Sequence, residues 1–210
     1  LKDFWKVNKK LSWSNLAYMS IGRGGGTRYF NSSSTIIRDD EGLVDWDAIT
    51  YNNQWKTFFG NTTSTADAAY DPALLKSSQI MTASVNNHMW IGGLSQFDLK
   101  VNEKWTVAGG LDYRYYKGSH YTEIKDLLGG DYYVNNSDKN STSSMKKVGD
   151  KIAGQPYQNN RDGFVQWMGA FGQAEYSSGR WTAFVNLSGV VNGYKGVDYF
   201  RKKRVQVGDS

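Results

Sequence analysis

Residues 88–133 read HMWIGGLSQFDLKVNEKWTVAGGLDYRYYKGSHYTEIKDLLGGDYY and divide into two long strands joined by a short turn. From Met89 to Val101 the odd positions hold Met89, Ile91, Gly93, Ser95, Phe97, Leu99 and Val101. The even positions hold Trp90, Gly92, Leu94, Gln96, Asp98 and Lys100. Successive side chains of a strand point to opposite faces, so this alternation defines two surfaces. After Asn102-Glu103-Lys104 it resumes, with Trp105, Val107, Gly109, Leu111, Tyr113 and Tyr115 on one face and Thr106, Ala108, Gly110, Asp112, Arg114 and Tyr116 on the other. One face is apolar and aromatic; the other is small and polar.

A three-residue turn that closes an antiparallel hairpin sets Val101 opposite Trp105, Phe97 opposite Gly109, Gly93 opposite Tyr113 and Ile91 opposite Tyr115. Aromatic rings then cover glycines. The second face pairs Leu94 with Asp112, Gly92 with Arg114 and Trp90 with Tyr116. Burying Asp112 and Arg114 in a dry sandwich would be costly without partners, so this face suits a wet interior. Trp90, Asp112, Arg114 and Tyr116 are its candidate lumen-facing residues. On the apolar face, Trp105 and Tyr115 are separated by ten residues, which at ~3.3 Å per residue and ~40° tilt is roughly 25 Å along a barrel axis. That matches the apolar band of an outer-membrane barrel, with Trp105, Tyr113 and Tyr115 as aromatic girdle candidates.

Bulk composition agrees with this reading without requiring it. The 210 residues are 39% hydrophobic and 15% aromatic, and mean hydropathy is −0.61. No run is long enough for a transmembrane helix, which excludes a helical membrane protein. A barrel exposes only alternate residues to lipid, so low mean hydropathy does not exclude a membrane. The absence of cysteine removes disulfides and thiolate metal sites. A net charge of +5 is too diffuse to indicate nucleic acid.

The same logic recurs along the chain. Asn8-Lys9-Lys10 resembles Asn102-Glu103-Lys104 as a polar turn, and Leu11, Trp13, Asn15, Ala17, Met19 and Ile21 alternate beyond it. This predicts a hairpin with Val7 facing Leu11 and Trp5 facing Trp13. A third hairpin is expected around Ser178-Gly179-Arg180, from Gly163–Tyr176 to Trp181 and about Phe200. Its facing stays open, because Trp167 and Phe171 share a parity with Gln173 and Glu175 while Met168, Ala170 and Ala174 share the other. Between the hairpins, Gly22 to about Ala83 and Lys117 to Asp162 read as long polar connections. Short turns and long loops thus alternate, as in transmembrane barrels. About six strands result, too few to close such a barrel, which starts at ~8.

Motifs for other chemistries are weak. Gly22-Arg23-Gly24-Gly25-Gly26-Thr27 has no lysine in the phosphate-loop position, and reads as a flexible strand exit. The acids Asp39, Asp40, Glu41, Asp45 and Asp47 miss the EF-hand order, and read as a solvated loop. His88 and His120, the only histidines, are predicted where strands meet long loops; their separation has no standard ligand spacing. Neither a metal site nor a catalytic set is predicted. Arg201-Lys202-Lys203-Arg204 reads as a solvated charge run.

Read in order, WIGGLSQFDLKVNEKWTVAGGLDYRYYKGSHYTEIKDLLGGDYY, VGDKI, FGQAEYSSGRWTAFVNLSG and YKGVDYF resemble the β-barrel part of TonB-dependent outer-membrane receptors. The likeness is to the Bacteroides-type group with a carboxypeptidase-regulatory-like domain. It spans about Phe4 to Phe200 and includes GRGGG with the acidic stretch DDEGLVDWD. The resemblance implies an all-β fold, an antiparallel transmembrane barrel of about 22 strands with short periplasmic turns and long extracellular loops. Residues 1–210 would be a partial barrel domain, with the plug and C-terminal strands outside this sequence.

It further implies energised uptake of a large or scarce solute across a Gram-negative outer membrane. The partners would be outer-membrane lipid, TonB acting through the plug, and a possible surface lipoprotein. No cofactor, catalytic residue or nucleic acid comes with it, and the solute is unknown. The alternative from another class is a secreted β-sandwich that binds or cleaves glycans through its tryptophans and tyrosines. A sandwich calls for a dry second face in each strand, where this chain has Asp98, Lys100, Asp112 and Arg114.

Overall fold

A computed structural model of the chain describes residues 1–31, 36–153 and 160–202. The strands are β1 (Lys2–Lys6), β2 (Leu11–Gly22), β3 (Gly25–Asn31), β4 (Trp55–Phe58), β5 (Asn61–Ser64), β6 (Ala66–Asp67) and β7 (Asp71–Ser77), with one helix, α1 (Trp46–Gln54), after β3. They continue as β8 (Gln79–Lys100), β9 (Trp105–Asp126), β10 (Tyr132–Val134), β11 (Met145–Lys146), β12 (Lys151–Ile152), β13 (Arg161–Ser178) and β14 (Trp181–Asp198). The protein is therefore mostly antiparallel sheet. Its sheets are open, with no closed barrel among the described residues. Among those residues no helix is long and apolar enough to cross a membrane.

Two compact units divide the chain. The first comprises Leu1–Gly22, Asn87–Gly118 and Asp162–Gly196, and is a sheet in the order β1-β2-β8-β9-β13-β14. Trp5 pairs with Trp13 as the alternation requires, and β2 pairs with β8 from Leu11↔Leu99 to Gly22↔His88. At the β8–β9 turn the Val101 N–H donates to the Trp105 carbonyl at 2.9 Å. The likeness between the first two turns is physical. Asn8 Oδ1 accepts from the N–H groups of Lys10 and Leu11 at 2.8 and 2.9 Å, and Asn102 Oδ1 from those of Lys104 and Trp105 at 2.8 and 3.0 Å. Each asparagine replaces a backbone turn with its own side chain. The third turn uses Gly179 at φ +60° instead.

Register between β9 and β13 resolves the open facing of the third hairpin. The Ser177 N–H donates to the Lys104 carbonyl at 2.8 Å. A Cβ built on Gly110 would meet the Phe171 ring, and one on Gly169 would lie 3.8 Å from Asp112 Cβ and 3.7 Å from Val190 Cγ2. Trp167, Gly169 and Phe171 therefore share the face of Gly110, Asp112 and Arg114, together with Val190 of β14. Met168, Ala170 and Ala174 share the opposite face, with Val185, Leu187 and Val191 by the two-residue period.

Ring-over-glycine packing follows a different pattern from the hairpin pairing. Phe97 covers Gly109 as expected, but Tyr18 covers Gly92, Phe171 covers Gly110, and Gly93 has only the Leu16 carbonyl within reach at 3.7 Å. Two of the three covering rings come from the flanking strands β2 and β13, which a reading of one hairpin alone does not include.

The second unit, built from Arg23–Asn86, Ser119–Arg161 and the chain from Val197 on, corrects the expectation of long irregular loops. Strand β3 pairs with β8 from Gly25↔Val85 to Asn31↔Gln79, and β12 pairs with β9 through Lys151↔Glu123 and Ile152↔Thr122. Strands β8 and β9 reach 22 residues each, about twice what a bilayer needs. Ile80, Ile124, Leu127 and Ile152 form a small buried core with Phe30 and Tyr133 packed against it. This apolar cluster takes up Phe30 of β3, a strand that opens on Gly25-Gly26 and continues with the strand formers Thr27, Tyr29 and Phe30. Beside it lie the β4–β5 hairpin and a sheet in the order β11-β10-β7-β6.

The acidic stretch before α1 is a set of caps. Asp39 Oδ1 accepts from the N–H groups of Glu41 and Leu43 at 3.1 and 2.8 Å. Asp45 is the helix N-cap, accepting from the Ala48 N–H at 2.8 Å. Asp47 lies in the first helical turn, where the macrodipole favours negative charge. One helix turn apart, Ile49 and Asn53 are its buried residues. Asn53 Nδ2 donates to the carbonyls of Gln79, Leu127 and Leu128 at 2.7, 3.1 and 2.9 Å. Its Oδ1 accepts from the Ser78 and Gln79 N–H groups at 2.9 and 3.1 Å. A nine-residue helix is marginal alone, and this amide ties it to two neighbouring segments.

Candidate functional site

The polar face of the first unit carries a strip of aromatic and charged side chains supplied by four adjacent strands. In β9, positions 112, 114 and 116 share that face by periodicity. Arg114 forms a fork to Asp112, Nε to Oδ1 at 3.2 Å and Nη2 to Oδ2 at 2.7 Å. The Asp112 side chain is 18% exposed and that of Arg114 is 48% exposed, so the carboxylate lies against the wall and the guanidinium reaches outward. Arg114 also sits over the Trp167 ring of β13, 5.5 Å from its centroid. The Trp167 indole nitrogen is buried and has no acceptor among the described residues.

Across the β8–β9 pair, Trp90 packs on Tyr116 with ring centroids 4.5 Å apart. His88 stacks on the same tyrosine at 5.7 Å, and its Nδ1 lies 2.5 Å from the Tyr116 hydroxyl. Trp90 remains 42% exposed, which leaves an indole face open. Tyr18, directly opposite Gly92 in the register, extends the strip onto β2.

All four candidate lining residues therefore lie in one strip. The histidines are placed differently from the expectation of a strand–loop border: His88 is inside β8 and His120 inside β9, because both strands gain partners beyond them. His120 Nδ1 lies 2.6 Å from Asn86 Oδ1 within the second unit. Among the described residues no three His, Asp or Glu side chains converge as a metal-binding group.

On the apolar face Trp105 packs against Tyr176 at 5.0 Å, and Trp13 against Phe97 at 6.5 Å. Tyr113 and Tyr115 lie further along β9 on the same face. Trp5, Trp13, Trp105 and Trp181 stand beside the three short turns and are 64%, 43%, 43% and 81% exposed. The indole N–H of Trp13 donates to Ser95 Oγ at 2.8 Å and to Asn15 Oδ1 at 3.1 Å, so the polar atoms of this apolar face satisfy one another.

Sequence reasoning missed Tyr18 and Trp167 as members of the strip. Counting register from the β2–β8 pair would have found Tyr18 opposite Gly92. Trp167 had no such signal, since its strand is polar and aromatic on the same parity. Chemically, the strip offers ring faces for stacking and an internally neutralised ion pair; no nucleophile with a base and orienting acid is built into it. Compared with protein-family models, curated proteins and solved structures, the chain matches none.

Proposed function

We propose that this chain is a wall segment of a transmembrane β-barrel, of the TonB-dependent outer-membrane receptor type, through which a large or scarce solute is taken up. The observation that carries this reading is the two-faced sheet of the first unit. On one face Met19, Ile21, Ile91, Leu111, Met168, Val185, Leu187 and Val191 are all at least 40% exposed. Covering such side chains contributes ~1.5 kcal/mol or more each, so leaving this face in water would forgo on the order of 10 kcal/mol, comparable to a domain's whole stability. Lipid covers it, and the belt of Trp5, Trp13, Trp105, Tyr176 and Trp181 sits at the headgroup level, where indoles favour the interface.

The other face holds Asp112, Arg114 and the Trp90–Tyr116 pair, groups suited to a hydrated passage. In this mechanism the solute meets ring faces and the guanidinium along the strip. The gate is supplied by a plug moved by TonB. The chemistry is binding and release, with no bond broken.

The test is fractionation of the full-length protein. Recovery with outer membranes, solubilised only by detergent, is expected. Recovery in the soluble fraction without detergent would overturn the reading and favour a secreted glycan-binding sandwich.

A further inference from the structure

We infer that the short-turn end of the first unit is a docking surface for the headgroups of anionic phospholipids. The inference rests on the wall reading above and adds the lipid class that this rim selects. Three turns lie side by side there. The Lys100 N–H donates to the Lys10 carbonyl at 2.8 Å, joining the first turn to the second, and the Ser177 N–H donates to the Lys104 carbonyl at 2.8 Å, joining the second to the third. Lys9 and Lys10 occupy the first turn, Lys104 the second and Arg180 the third, and all four are exposed.

The second turn's acid, Glu103, is held by Lys100 at 2.9 Å. Among the described residues no carboxylate forms an ion pair with Lys9, Lys10, Lys104 or Arg180. Four cations, of which Lys10 also feels the Glu103 carboxylate, thus line one edge of the sheet without a direct ion pair among the described residues.

Their position selects the occupant. They follow directly on the belt of Trp5, Trp13, Trp105, Tyr176 and Trp181, and an indole belt sits at headgroup depth, so the next groups along the strand meet the phosphate layer. Cations at that depth attract anionic lipid, an attraction that adds over the charges and weakens with salt. Lys9 and Lys10 line a shallow hollow with Lys6, Lys100 and Asp98, but Lys104 and Arg180 lie outside it, so the charge is spread along a rim, which matches a leaflet surface better than a single free phosphate.

The experiment uses the full-length protein in nanodiscs containing equal phosphatidylglycerol and phosphatidylcholine. The lipids retained on the protein are read by native mass spectrometry. At low salt the wild type is expected to retain about ten phosphatidylglycerols for each phosphatidylcholine, a ratio that falls as salt is raised. The combined variant Lys9→Gln, Lys10→Gln, Lys104→Gln and Arg180→Gln should retain both lipids alike. The charge-conserving variant Lys9→Arg, Lys10→Arg and Lys104→Arg should keep the preference and so controls for folding. Excess soluble glycerophosphoglycerol should leave the retained lipid unchanged.

Protein that enters nanodiscs but retains both lipids equally would overturn this inference and leave the wall reading standing. Loss of preference in the arginine variant, or stripping by the soluble headgroup, would also overturn it. Protein that fails to enter nanodiscs would overturn the wall reading itself.

Discussion

Replacing Asn53 with alanine isolates the contribution of one buried side chain to the second unit. Asn53 is 0% exposed and makes five bonds to backbone groups through its amide. Of the groups released, the Leu127 carbonyl keeps the Ser77 hydroxyl as donor at 2.6 Å. The Ser78 and Gln79 N–H groups lose the acceptor that Asn53 supplies. Ser78 is exposed and Gln79 buried, so stranding the Gln79 donor costs ~1–3 kcal/mol, and with the bonds lost at the Gln79 and Leu128 carbonyls the total is ~3 kcal/mol. That energy holds α1 to its neighbours, and a detached nine-residue helix unravels.

The readout is hydrogen exchange of the full-length protein at amides that do not touch Asn53, in particular Ile49, whose N–H donates to the Asp45 carbonyl at 3.1 Å. At ~1.4 kcal/mol per decade its protection should fall about a hundredfold. Asn53→Asp keeps an acceptor for the two N–H groups but loses the donor to three carbonyls and buries a charge, so it should cost at least as much. An Ile49 amide whose protection changes less than about twofold in Asn53→Ala, well under ~0.5 kcal/mol, would refute the assignment of Asn53 as the tie.

Three further outcomes are expected. Gly110→Ala places a methyl 2.6 Å from the Ser95 carbonyl oxygen and 2.7 Å from the Phe171 ring; the ring can give and the backbone cannot, so thermal unfolding should show a loss of ~1–3 kcal/mol that Phe171→Ala does not rescue. Asp67 is held below the ordinary carboxylate range first by its hydrogen bond from Lys76 at 2.8 Å and then by the Ala69 N–H. Its contribution is complete above that range and is lost as pH falls through the depressed value, and Asp67→Asn should remove this acid-side dependence of exchange in β6 and β7. Burial raises the Tyr133 hydroxyl above its ordinary value. Its contribution is therefore present below the ordinary tyrosine range and lost as pH rises beyond it, so an ultraviolet phenolate titration of Tyr133→Phe should lack a late-titrating group that coincides with alkaline loosening of the core.

What the chain's order of residues determined by itself is the two-faced hairpin and its turns. Strand alternation is a local property, and a hairpin's register follows from its turn, so Trp5 opposite Trp13, Val101 opposite Trp105 and the Trp90–Tyr116 contact could all be counted from the sequence. The candidate strip was legible to the same extent, since Asp112, Arg114 and Tyr116 share one strand.

Tertiary structure decided everything that depends on which strands meet across long connections. The facing of β13 followed from its pairing with β9, because its own two faces each mix apolar and polar groups; this brought Trp167 beneath Arg114. Tyr18 joined the strip through β2–β8 register. The extension of β8 and β9 past His88 and His120, the strand at Gly25–Asn31 and the helix at Trp46–Gln54 owe their stability to Ile80, Ile124, Ile152 and the buried Asn53 amide. Short elements of weak intrinsic propensity form when distant residues supply burial and backbone partners, and no local window of sequence contains that information.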